Sequence, residues 1–404
     1  MRRVVVTGMG AICALGPNAD SCWQGMREGR SAIAPLTGFE DTSLRVEVAA
    51  QVADFDPAAH FDRRKLSLLD RVSQFSLVAA REAVSQSGLD FNQAGLGHRS
   101  ACVIGTGVGG EQTNDAASQR LYGEGAQRLH PMTIVRRMNN APASQLCIEF
   151  GLRGPSFAVS SACASANHAL AQAFALVRSG MSDVAVAGGA EACITLGVLR
   201  AWEAMRVLAD DTCRPFCKQR QGLVLGEGAG IFVLEEYEHA RARGANILAE
   251  FAGAGMSADA DDMVAPSADG AAQAMRMALD DAGLATDAVD YINAHGTGTP
   301  ANDPTETRAI KQVFGEHAEK LGISSTKAVH GHALGAAGAL ELVAVIGALR
   351  ENTLPPTANF IDADPECFLD YVPNEGRQSR VRAALSNSFA FGGLNAVLAL
   401  KQAP

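Results

Sequence analysis

The chain has 404 residues, 47% of them hydrophobic and 19% charged, enough apolar material to bury the core of one large or two ordinary domains. Its formal net charge of −10 argues against general nucleic-acid or anionic-membrane binding and points to small molecules or proteins as partners. The nine cysteines, at positions 13, 22, 102, 147, 163, 193, 213, 217 and 367, read as reduced thiols in a chain too long to need disulfide staples, with a cytoplasmic location as the default.

The first stretch, "MRRVVVTGMGAICALG", alternates with glycines and lacks the sustained apolar region of a signal peptide, so it predicts a buried strand and turn. No run approaches the length needed to cross a bilayer. In "VSQFSLVAAREAVSQSG", Val72, Phe75, Val78 and Ala79 recur at helical spacing before Gly88. Strands follow in "ACVIGTG", "SFAVSS" and "DVAVAGG", and the alternation predicts an α/β fold with largely buried sheets.

Cys163 stands where "FAVSS" gives way to the helical run "ASANHALAQAFALVRSG", which ends at Gly180. A thiol at a helix N-terminus sees unpaired N–H groups that favour the thiolate, and Ala162, Ala164, Ser165 and Ala166 leave room for a bulky acyl group. The competing reading is a buried packing thiol. Cys213 and Cys217, in "CRPFC", lack the further ligands of a zinc site and read as structural.

The charged segment "EEYEHARARGANILAE" ends a first half, residues 1–250, and the second half, residues 251–404, echoes it. "VVVTGMG" resembles "EFAGAGM", "SQSGL" resembles "DDAGL", and "GTGVGG" resembles "GTGTP". "VSSACASANHAL" from Val159 aligns without a gap on "ISSTKAVHGHAL" from Ile323, placing His168 on His332. A tandem duplication follows, and packing about a pseudo-two-fold axis would bring the turn at Cys163 to the turn carrying Lys327 and His332.

Three C-terminal stretches complete a candidate site. In "NAHGTGTPANDPTET", His295 closes a strand where α/β proteins place ligands, Thr297 and Thr299 can bind a polar ligand, and Asp303 with Glu306 can anchor nearby cations. In "SSTKAVHGHALGAAGALE", Lys327 and His332 bracket a tight turn. In "LSNSFAFGGLNAV", either a mobile loop gated by Phe389 or Phe391, or a plain hairpin, follows a strand. A thiol and two imidazoles on separate turns without metal-ligand spacing fit acyl transfer through a thioester better than zinc.

Together, "SSACASA", "NAHGTGT", "SSTKAVHGHALGAAGALE" and "NSFAFGG", in this order over essentially the whole chain, resemble the β-ketoacyl-acyl-carrier-protein synthases of the elongating KAS I/II type. The resemblance implies the thiolase-like fold, a duplicated α/β unit in a five-layer αβαβα arrangement, and a homodimer or a heterodimer with a chain-length-factor-like subunit. It implies that Cys163 is the nucleophile, that His295 and His332 assist malonyl decarboxylation, and that Lys327, paired with Glu306, organises them. It places the oxyanion hole at the N–H groups of Cys163 and Phe391, pantetheine contacts at Thr297 and Thr299, and an acyl-pocket residue at Val108. Arg63, Arg64, Lys65 and Arg206 match positions that contact an acyl carrier protein. Asn293, Glu341, Ser386 and Asn387 match positions that hold a structural monovalent cation. No catalytic metal or resident cofactor is implied, since 4′-phosphopantetheine belongs to the carrier.

The sequence departs from the family pattern at Ala390 and Leu394 in the gate, at His330 before "GH", and at Met263, Val264 and Ala265, where hydroxyl-bearing residues are usual. The leading expectation is a carrier-dependent condensing enzyme, housekeeping or specialised for polyene, nodulation-type or other secondary acyl chains. A coenzyme A-dependent thiolase is disfavoured because no second catalytic cysteine is evident. A non-catalytic chain-length partner is disfavoured by Cys163 and the two histidines.

Overall fold

The computed structural model describes residues 1–39, 43–93 and 95–404. Ten strands form one hydrogen-bonded sheet: β1 Val4–Cys13, β2 Ser100–Gly105, β3 Ser156–Val159, β4 Val184–Glu191, β5 Gly228–Glu236, β6 Ala249–Ala258, β7 Tyr291–Asn293, β8 Gly322–Ser324, β9 Ala383–Ala390 and β10 Leu394–Lys401. From the centre outward the order is β1-β5-β4-β2-β3 on one side and β6-β10-β9-β7-β8 on the other. Each strand of the first half thus has a counterpart five strands later. The pairings repeat as well: β1/β5 and β4/β5 are antiparallel with β2/β4 and β2/β3 parallel, and β6/β10, β9/β10, β7/β9 and β7/β8 follow suit. The halves join through antiparallel β1 and β6, where Val4 faces Phe251.

Helices α1 Arg71–Ser87, α2 Ala141–Phe150, α3 Ser165–Arg178, α4 Leu196–Met205, α5 Ala268–Ala282, α6 Asn302–Phe314 and α7 Ala337–Glu351 dress this sheet. Helices α3 and α7 each pack on strands of both halves and form the middle layer. Residues Ala337–Leu349 of α7 are buried all round, as an apolar helix between the two half-sheets must be. Outside lie α1 with α2 against the first half-sheet and α5 with α6 against the second, giving the αβαβα layering of the thiolase-like fold. Among the described residues no helix is long and apolar enough to cross a membrane.

The glycines behind the echo "VVVTGMG"/"EFAGAGM" have a packing cause. A Cβ at Gly8 or Gly10 would sit 2.0 Å from a carbonyl oxygen of α1, and one at Gly255 would sit 2.1 Å from a carbonyl oxygen of α5. Both outer helices therefore lie directly on the backbone of their first strand, which only glycine permits. The echo "SQSGL"/"DDAGL" is the shared end of these helices, where Gly88 and Gly283 adopt left-handed caps.

The gapless alignment of the two "HAL" segments does not survive folding. Helix α3 begins at Ser165, directly after β3, whereas its counterpart α7 begins only at Ala337, with residues 325–336 inserted after β8. The strand ends and serines correspond; His168 inside α3 and His332 in the insertion do not.

Candidate active site

After β3 the chain turns sharply into α3. Ala162 takes φ +48°, a strained value for a residue with a Cβ, and the Ala164 N–H closes the turn on Ser161 O at 3.1 Å. The elbow leaves Cys163 buried at the floor of a cavity of about 60 Å³, just before the first turn of α3. His295, Thr297, Thr299 and His332 line the same cavity, with Phe389, Ala390, Phe391 and Val264. Residues from both halves of the chain therefore converge, as the two-fold packing required.

The thiol does not follow the helix-dipole expectation. Burial pushes Cys163 up to about 11, against the pull of Lys327 and of the Phe391 and Cys163 N–H groups. Desolvation of the buried thiol outweighs a single helix end.

His295 and His332 meet edge to face, with ring centroids 5.5 Å apart. Burial first, and the Lys327 charge second, hold both well below the usual imidazole range, so both rings are neutral. Lys327 Nζ donates to His295 O at 2.6 Å and lies 3.5 Å from His295 Nδ1. An ammonium has only donors, so Nδ1 accepts and Nε2 carries the proton. Both ring nitrogens of His332 are buried without a protein partner, in reserve for a ligand.

Lys327 is paired with Glu341, not with Glu306. Glu341 reaches it from the first turns of α7, and both side chains are fully buried. Glu306 instead accepts the N–H groups of His295 and Gly296, both at 2.8 Å, and the Asn387 amide at 3.2 Å. Asp303 accepts from Phe216 N at 2.7 Å and Gly298 N at 3.2 Å. These two acids of α6 do not anchor side-chain cations; they brace the backbone of the turn that carries His295. Thr297 and Thr299 hydroxyls lie 2.8 Å apart on that turn, and Cys213 supports it from behind by donating to Thr297 O.

The gate is a hairpin. Ala390 is the last residue of β9, paired with Leu394, so the family's glycine position falls here on extended backbone. The turn is made by Gly392 and Gly393, at φ +82° and +68°. Met263 O accepts the Gly392 N–H at 2.8 Å, so the departing segment around Met263–Ala265 caps the hairpin and lines the cavity.

Val108 does not line this cavity; it is 40% exposed on the loop after β2. Nor do the basic candidates gather. Lys65 pairs with Glu149 of α2 at 3.4 Å, alongside exposed Arg63 and Arg64, while Arg206 caps the C-terminus of α4 next to Arg45 and Glu203. Sequence reasoning passed over Trp202, which lines the cavity and stacks on Phe391 at 5.9 Å. It also passed over Glu191, buried at the end of β4. Its carboxylate accepts from Gly107 N at 2.7 Å, Gly335 N at 2.9 Å and Thr106 Oγ1 at 3.1 Å, tying the loop of Val108 to the loop of His332. An acid closing the apolar run "DVAVAGGA" was the available signal.

A thiolase-like fold with a buried cysteine facing two neutral imidazoles and a lysine defines an acyl-transferring condensing enzyme. Residues 1–240 match the family "Beta-ketoacyl synthase, N-terminal domain" and residues 248–361 its C-terminal domain, and the chain belongs to the β-ketoacyl synthase family. It is 52% identical over 401 residues, 99% of both chains, to "Nodulation protein E" of Rhizobium meliloti strain 1021. It is 41% identical over 409 residues, again 99% of both, to "3-oxoacyl-[acyl-carrier-protein] synthase 2" of Coxiella burnetii. The solved structure titled "The ishigamide ketosynthase/chain length factor" superimposes with a TM-score of 0.93 at 38% identity, covering all of both chains.

Proposed function

We propose that the enzyme lengthens a carrier-bound acyl chain by two carbons, residues 1–250 supplying the thiol that stores the acyl group and residues 251–404 the groups that act on the malonyl unit. The convergence of Cys163, His295 and His332 on one cavity, with Lys327 buried against His295, carries this reading. Cys163 Sγ attacks the acyl thioester, its oxyanion held by the N–H groups of Cys163 and Phe391. The carrier thiol leaves with the Cys163 proton, which suits a thiol held neutral by burial. Malonyl carrier protein then enters, its pantetheine along Thr297 and Thr299. Loss of CO₂ sends the electron pair to the malonyl thioester carbonyl, whose oxygen takes hydrogen bonds from His295 Nε2–H and His332. The carbanion attacks the acyl group, a carbon–carbon bond forms, the bond to Cys163 breaks, and the sulfur regains a proton. Lys327 keeps His295 in the donating tautomer.

Asn293 Oδ1, Glu341 Oε2 and Ser386 Oγ are buried without a partner, oxygens suited to a monovalent cation, whereas Asn387, the next residue of β9, turns its side chain the other way, to Met275 and Glu306. Such an ion would offset the charge of Glu341 and stiffen the base of the site; no other cofactor is needed. Identity of 52% to a nodulation protein against 41% to a 3-oxoacyl-[acyl-carrier-protein] synthase 2 favours a specialised, nodulation-type acyl pathway. Acyl carrier protein is the partner, met at Arg206. A second copy covers the exposed apolar side chains Leu121, Tyr122, Ile134, Val135, Ile148 and Phe157, beside the free edge of β3 and Val108. Native mass spectrometry that found only monomer would remove the homodimer, and recovery of activity only with a chain-length-factor-like subunit would replace it. The nine free thiols suit the cytoplasm.

The test is product analysis with acyl and malonyl groups on carrier protein and, separately, on coenzyme A. A 3-oxoacyl product two carbons longer, formed on the carrier and not on coenzyme A, is expected. Turnover of the coenzyme A esters alone would favour a thiolase.

A further inference from the structure

Asn167 stands in the first turn of α3, four residues after Cys163, and is fully buried in an alanine-rich helix where an apolar side chain would meet no desolvation penalty. Its amide nitrogen donates to Ser386 O at 3.1 Å and to Ala396 O at 3.2 Å. Carbonyls only accept, so the nitrogen is the amide atom that faces them, and both of its protons are used. The amide oxygen lies against α7, where a Cβ at Gly338 would sit 2.2 Å from it, and it has no partner. A buried amide left half satisfied is a poor device for stability alone.

The two acceptors define what the amide grips. Ser386 belongs to β9 and Ala396 to β10, the two arms of the gate hairpin, and each stands five residues from Phe391 at its tip. One nitrogen therefore fastens both arms to the first turn of the helix that begins at the Cys163 elbow. At the tip, Phe391 lines the cavity with Cys163, its N–H pulls on the thiol, and its ring stacks on Trp202. The turn itself contains Gly392 and Gly393, its most adaptable residues, so the height of the Phe391 N–H over the sulfur depends on where the arms are anchored. Met263 O holds the tip from the second half, and Asn167 holds the arms from the half that bears the thiol.

We propose that Asn167 is a positioning residue: by fastening both arms of the β9–β10 hairpin to the first turn of α3, it sets the Phe391 N–H where it can stabilise the oxyanion of acyl transfer to Cys163. The oxyanion role of Phe391 rests on the function proposed above; the anchoring of the hairpin does not.

Two reactions at the same sulfur separate positioning from packing. Alkylation of Cys163 by iodoacetamide forms a carbon–sulfur bond as iodide and the thiol proton leave, and passes through no oxyanion; acylation from an acylated carrier protein passes through one. In the full-length protein, followed on the Cys163 peptide by mass spectrometry, Asn167→Ala should slow acylation about 10- to 100-fold and leave alkylation at the wild-type rate. Asn167→Asp, which keeps the shape of the side chain and loses the amide donor, should give the same split. Equal loss of both reactions, or no loss of acylation, would overturn the proposal. The hairpin is read directly through Trp202, one of two tryptophans in the chain, with Trp23→Phe as the background. Asn167→Ala should move the Trp202 emission to longer wavelength and raise its quenching by acrylamide; unchanged emission also overturns the proposal. If wild-type Cys163 is alkylated but takes no acyl group from the carrier, the proposed function falls instead, and the Trp202 emission decides whether Asn167 anchors the hairpin.

Discussion

The two half-sheets have the same strands in the same order, yet they end differently, and each difference makes part of the site. After β3 the chain enters α3 at once through the Ala162 elbow, which can present one small side chain, a thiol. After β8 residues 325–336 intervene before α7, a loop long enough to carry Lys327, His330 and His332. After β4 the reverse holds: residues 192–227, with α4 and Trp202, separate it from β5, whereas β9 and β10 are joined by residues 391–393. Trp202 of the long connection then stacks on Phe391 of the short one. Duplication supplied the frame, and asymmetric loop lengths supplied the chemistry.

If the halves divide the reaction in this way, their variants should fail in different steps. Cys163→Ala should lower condensation on the order of a thousandfold or more while CO₂ release from malonyl carrier protein continues, as carbon dioxide capture would show. His332→Ala should lower condensation by roughly 10²- to 10⁴-fold, followed by product formation, with acylation of Cys163 unaffected.

The residues following the two equivalent strands should also differ in what they hold together. Lys327→Met leaves Glu341 buried and unpaired, and denaturant unfolding should show a loss of about 3–5 kcal/mol. Changing Glu341 to Leu in the same protein should return much of that stability without returning activity. Cys163→Ala, by contrast, removes no charge and should cost about 1 kcal/mol.

A smaller effect belongs to Glu191, the last residue of β4, whose counterpart in β9 is Ala390. Burial raises its carboxyl from 4.5 to about 7. The folded protein therefore keeps this proton where the unfolded chain has lost it. Its contribution to stability is full below about pH 4.5, declines as the pH rises to about 7, and is flat above. The difference in unfolding free energy between wild type and Glu191→Gln, followed across that range, should carry this slope. The smallest effect is expected at the rim. Arg206→Glu should raise the KM for carrier-bound substrate severalfold, more at low salt, with kcat nearly unchanged.

Much of this was legible in the sequence. Strand alternation, the paired glycines under α1 and α5, and their left-handed caps are local properties, and each echoed its partner in the chain. Cys163, His295, Lys327 and His332 were legible because each closes a strand or a glycine-rich turn. What the sequence could not convey depended on distance through space. Glu306 and Glu341 both lie near Lys327 in the fold, and only the packing of α7 against the Lys327 turn shows which carboxylate meets the ammonium. The thiol was expected to favour its anion because the helix end is visible in sequence while the enclosing hairpin and Trp202 are not. The "HAL" echo misled because identical letters fell on a helix interior in one half and on an inserted loop in the other. Val108 carries no local signal of whether it faces this cavity or the surface.

The central claim is that the first half holds the acyl group and the second half makes the carbon nucleophile. Its most direct test is the intact mass, with peptide mapping, of the His332→Ala protein after incubation with acylated carrier protein and no malonyl carrier protein. The account predicts one acyl adduct per chain, located on Cys163, formed as readily as in the wild type. An adduct that is absent, or that sits on another of the nine cysteines, would contradict it.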